Sequence, residues 1–144
     1  MRMLGEFMIR VLNRADTIAY CTRECSLCDI YGVRTTVLKM VVGLLKKDWA
    51  VFEKLTGYLA QPYMEFTFLY KTVGSFMWGL DNLGAFAYWG KDDIVKVLYD
   101  NRRIIGDIAR IGKQYSLKVQ ECEEEKLDIL IESAANELIV CGCK

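Results

Sequence analysis

Apolar residues recur at steps of three and four along nearly the whole chain, and a single proline, Pro62, interrupts its 144 residues. That period is the signature of amphipathic helices, each burying one stripe. Leu4, Phe7, Met8, Val11, Leu12, Ala15, Ile18 and Ala19 form the first stripe, which ends at a cysteine-containing stretch and Gly32. Val37, Met40, Val41, Leu44 and Leu45 form the second. Trp49, Phe52, Leu55 and Leu59 prolong it, as one helix bent near Asp48 or as two shorter ones. Pro62 suits the first turn of the next helix, where its missing N–H is no loss. Ile94, Val97, Leu98, Ile105, Ile108 and Ile111 make another stripe, with Gly106 and Gly112 as its weak points. Leu127, Leu130, Ile131, Ala134 and Leu138 fit a last helix, and the acidic run Glu121 to Glu125 suits its N-terminus. The segments SLKVQEC and KLDILIES could instead pair as a hairpin. Their glutamate, alanine and leucine favour the helix.

The centre is the most apolar part. From Phe66 to Trp89 only Lys71 and Asp81 carry charge. A helix apolar nearly all round belongs in the middle of a bundle. A break around Gly79 to Asp81, with Asp81 or Asn82 as N-cap, opens such a helix over residues 82–98, and Phe86, Tyr88 and Trp89 are its expected core. At this length and 53% apolar composition one sizeable core is possible. The expectation is a single all-α domain over residues 1–144, with six to eight helices around one buried central helix.

Charge and side-chain chemistry narrow the function. Nineteen basic residues balance nineteen acidic ones, which argues against a nucleic-acid partner held by bulk positive charge. The chain has no histidine, so histidine triads and histidine-bound zinc are excluded. No secretory leader or tail anchor is read in it, and the central charge-free runs, Thr72 to Leu80 and Asn82 to Gly90, are far too short to span a bilayer. Six cysteines, at 21, 25, 28, 122, 141 and 143, are expected as reduced thiols. Cys21, Cys25 and Cys28 have the C-x3-C-x2-C spacing of a radical-SAM iron–sulfur motif, and a structural zinc on early and late thiols is a second possibility. The radical-SAM fold needs a longer alternating strand–helix series, which this chain lacks. No metal or cofactor, and no catalysis, is therefore expected.

The order of the middle segments carries a resemblance. VLKMVVGLLKKDWAVFEKLTGYL, residues 37–59, looks like the second helix of the Bcl-2 family of apoptosis regulators. That helix ends in a small residue, phenylalanine, two polar residues and leucine; here these are Val51, Phe52, Glu53, Lys54 and Leu55. A proline-containing spacer follows, then the turn GLDNLGA, with Asn82, Leu83, Gly84 and Ala85 where the family has Asn-Trp-Gly-Arg. The run FAYWGKDDIVKVL resembles the family's apolar central helix, and residues 3–20 its opening helix. The likeness covers about residues 3–110. Ala85 replaces the arginine that pairs with the aspartate of bound death-motif helices, and the family's second homology motif has no counterpart after residue 110. Such erosion resembles the viral members.

The resemblance implies a Bcl-2-like bundle that sequesters amphipathic death-motif helices of pro-apoptotic partners, Bim-, Bak- or Bax-like, in an apolar groove, and so blocks cell death. Trp49, Phe52, Leu55, Val73 and Met77 would line the groove. Gly84 would let the ligand backbone approach closely, and Asn82 would cap the central helix or bond the ligand. The Leu38 to Gly43 stretch lacks the aspartate of a donor motif, which makes the chain a receptor for such helices. A cytoplasmic place, peripheral at mitochondria, and a homodimer are further expectations. Each of these residues also has an ordinary reading, as core aromatic, packing glycine or plain N-cap. The competing class is a self-associating helical protein without a groove, which the zero net charge favours.

Overall fold

The computed structural model describes residues 4–22, 35–61 and 91–143. Among them are six α-helices and no strand: α1 (Leu4–Thr22), α2 (Thr35–Lys47), α3 (Trp49–Leu59), α4 (Lys91–Asp100), α5 (Arg102–Glu121) and α6 (Leu127–Cys143), with a 3₁₀ turn at Glu124–Lys126 before α6. The all-α expectation holds for these residues, and the last segment is helical rather than a hairpin. The expected central helix around Phe86, Tyr88 and Trp89 lies outside them, except for its end in α4.

The stripes read from the sequence become one core. Phe7, Met8, Val11, Leu12 and Ala15 of α1 are buried, as are Val41, Leu44 and Leu45 of α2. Phe52, Leu55 and Leu59 come from α3, and Ile94, Val95, Val97 and Leu98 from α4. Ile104, Ile105, Ile108, Ile111, Tyr115 and Val119 of α5 join Leu127, Ile131, Ala134, Ala135, Leu138 and Ile139 of the C-terminal segment in the same cluster. Helix α5 packs on α1, α3, α4 and α6, so it ties the described elements together.

Two helix breaks have local causes. Between α2 and α3 the backbone of Asp48 is extended, and its carboxylate accepts a hydrogen bond from the Ala50 N–H at 2.9 Å. That is a side-chain N-cap, and it resolves the segment into two helices. Between α4 and α5 the break falls at Asn101, not at Gly106 or Gly112, and α5 runs through both glycines. The buried Asn101 side-chain amide donates to the Val97 carbonyl at 2.8 Å, beside the Asn101 backbone N–H, which donates to the same carbonyl at 3.1 Å. Arg102 donates to the Tyr99 carbonyl at 2.9 Å and lies over the Tyr99 ring at 4.3 Å, closing the corner.

The N- and C-terminal helices are neighbours. Arg10 reaches Asp128 at 2.8 Å and Arg14 reaches Glu132 at 2.6 Å. Both members of each pair advance by four residues, so α1 and α6 run parallel along this seam. Residues 122–126 return the chain from α5 into α6.

Candidate ligand-groove residues

Asp48 starts α3, and the helical period then turns Phe52 and Leu55 to one side and Glu53 and Lys54 to the other. Phe52 has no exposed surface and Leu55 keeps 4% of its own, so both stand inside the core. Trp49 is half-buried. Its ring lies 5.3 Å from that of Phe52 at an interplanar angle of 37°, and its indole N–H donates to Glu53 at 2.5 Å. The far edge of the indole sits over the backbone of Gly112 in α5, so close that a β-carbon there would collide with it. Trp49 therefore joins α3 to α5, and Gly112 is small for a steric reason. Of the eight groove residues expected from sequence, the structure brings together Trp49, Phe52 and Leu55. Val73, Met77, Asn82, Gly84 and Ala85 lie outside the described residues.

A similar close approach joins α1 to α2. A β-carbon on Gly5 would strike the carbonyl oxygen of Leu45. The two backbones can touch there only because Gly5 has no side chain.

Among the described residues, a set of polar contacts lies between α1, α5 and α6. Arg10, Asn13, Arg14, Thr17, Asp128, Ile131 and Glu132 line a shallow open groove of about 430 Å³. Hydrogen bonds from Arg14, and then its positive charge, hold the Glu132 carboxyl below its ordinary 4.5, against an opposing effect of burial. Deeper, Tyr115 donates to Glu137 at 3.0 Å, and the Gln114 amide donates to the same carboxylate oxygen at 3.3 Å. The Tyr115 ring lies 6.0 Å from Phe7, with the Lys118 ammonium 5.0 Å from its centre. Burial pushes the Tyr115 hydroxyl up to about 12, helped by the hydrogen bond to Glu137 and its negative charge. Sequence reasoning alone misses this polar seam. Its signal is present in the matched four-residue steps of Arg10/Arg14 and Asp128/Glu132, but two such steps 118 residues apart reveal no pairing without the fold.

No group of acidic and cysteine side chains among the described residues could hold a metal ion. Cys122 is half-buried and its thiol donates to the Glu123 carbonyl at 3.0 Å. Cys25 and Cys28 of the C-x3-C-x2-C spacing lie outside the described residues. No described helix is long and apolar enough to cross a membrane. No protein-family model, no curated protein and no solved structure matches the chain.

Proposed function

We propose that the protein is an anti-apoptotic, Bcl-2-like regulator that holds the death-motif helices of pro-apoptotic partners in an apolar groove. The observation that carries the reading is the joint spacing of the Val51–Leu55 element, the Pro62 spacer and the Asn82-Leu83-Gly84 turn. The amphipathic form of α3 supports it, with Phe52 and Leu55 inward and Glu53 and Lys54 exposed. Recognition of this kind seats ligand anchors at i, i+3 or i+4, and i+7 against large apolar side chains. Because Phe52 and Leu55 are already enclosed, a ligand would meet them as a groove floor, reached when α3 shifts from α5. Trp49 would move with that shift, since its indole spans the two helices. Ala85 supplies no cation for the ligand's aspartate, and losing one partner of a buried charge pair weakens binding by about 2–5 kcal/mol. The expected ligand range is therefore narrow.

The test is calorimetric titration of the wild type, Gly84→Glu and Ala85→Arg with a panel of death-motif peptides. Gly84→Glu should abolish binding by filling the approach path and placing a like charge near the ligand's aspartate. Ala85→Arg should broaden the range of peptides bound. Unchanged binding by a folded Gly84→Glu variant would move the site elsewhere.

A further inference from the structure

Helix α5 has two unlike faces. Its inner arc carries the buried isoleucines, Tyr115 and Val119. Along the opposite arc Arg103, Gly106, Arg110, Lys113, Leu117 and Glu121 recur at steps of three and four, and all are exposed. This outer stripe is ordered by sign. Arg103, Arg110 and Lys113 occupy its first two thirds; Glu121 ends it, and exposed Glu123 and Glu125 follow in the turn. Leu117, at 68% exposure, lies between the two signs. Above Gly106 there is open space beyond the helix's own backbone where a β-carbon would sit.

A stripe positive at one end and negative at the other is complementary to its own reversed copy. We propose that the outer face of α5 is a self-docking surface on which the α5 of a second copy of this chain lies antiparallel, about a two-fold axis at the level of residue 112. Such an interface is isologous, so every contact occurs twice. Arg103 then meets the partner's Glu121 at both ends, and Leu117 lies over the partner's Gly106, where the missing side chain leaves room. Arg110 stands opposite the partner's Gln114. The zero net charge raises no long-range barrier between copies. Lys113 and Arg110 crowd near the axis and oppose the pairing, although Asp107 lies 3.6 Å from Arg110 and offsets part of its charge. One helix pair about 30 Å long makes a small interface of the transient kind. The dimer should therefore be weak, forming around ~100 μM, which is about −5.5 kcal/mol on the affinity scale. This surface is distinct from the groove residues and stands or falls separately from the ligand reading.

Sedimentation velocity in reducing buffer, from ~10 to ~500 μM, tests it in the range a transient interface occupies. The wild type should show a reversible monomer–dimer equilibrium. Arg103→Glu and Glu121→Arg should each weaken it about tenfold or more, because each places like charges at both ends. An equimolar mixture of the two variants should dimerise again. In that mixed dimer the two substituted side chains face each other at one end as an opposite-charge pair, and the native pair remains at the other. A wild type monomeric throughout overturns the proposal, as does a mixture no better than its components. Loss on Arg103→Glu with no effect of Glu121→Arg also overturns it; that pattern marks an acidic partner for the basic end alone.

Discussion

At the residue scale, two glycines and one tyrosine carry consequences. Gly5 and Gly112 both lie where a β-carbon cannot fit, but their neighbours differ. Gly5 faces the Leu45 backbone, which cannot rotate away, whereas Gly112 faces the end of the Trp49 side chain. Gly5→Ala should therefore cost about 1–3 kcal/mol by forcing α1 and α2 apart, and trimming Leu45 should not recover it. Gly112→Ala should cost a similar amount in the wild type. In a Trp49→Leu background it should be neutral or stabilising, because alanine is the better helix former by about 1 kcal/mol. Urea unfolding of these variants checks the pattern. Tyr115 adds a pH effect. Its folded pKa, about 12, lies above the ordinary 10, so its contribution is intact below pH 10 and fades as pH rises toward 12. Ultraviolet titration should show a late tyrosine ionisation that Tyr115→Phe removes, and the same substitution should flatten the loss of stability above pH 10. None of this is legible in the sequence. Gly112 reads there as a weak point of a helix, and only the fold shows an indole above it.

At the element scale, periodicity places the helices well, since α1, α5 and α6 each bury most of the described residues of the stripe that spacing predicts. The breaks are less visible. Asp48 allows one helix or two until its capping bond to Ala50 decides between them. Asn101 escapes notice because the isoleucine and valine pattern continues on both sides of it, and the glycines are the more conspicuous breakers. Asn101 turns its side-chain amide back to the Val97 carbonyl, a local hydrogen bond that hydrophobic spacing does not encode. The parallel seam between α1 and α6 gives a second pH prediction. The folded pKa of Glu132 is depressed, so its stabilising effect is present above the unfolded value near 4.5 and lost as pH falls through the lower folded one. The urea midpoint should fall as pH is lowered below about 4.5, and Glu132→Gln should make that fall shallower. Equal slopes for wild type and variant would show that Arg14 and Glu132 do not hold the two helices together.

At the scale of the whole molecule, one apolar cluster joins all six described helices. That cluster is legible because helical stripes must find partners, whatever the topology. Phe52 and Leu55 are expected as groove walls from a spacing that core residues share, and both stand in the core. Folding should need no metal, because the core is apolar and the chain lacks histidine. Thermal unfolding in reducing buffer should give the same midpoint with and without a strong chelator. A midpoint that collapses on chelation would assign Cys21, Cys25 and Cys28 to a metal site. The central claim, a groove for death-motif helices, is tested most directly by fluorescence anisotropy of labelled death-motif peptides with the free wild-type protein. The account predicts saturable binding of at least one peptide with Kd below ~10 μM, about −7 kcal/mol. No saturation by any peptide of the panel up to ~100 μM protein would contradict it.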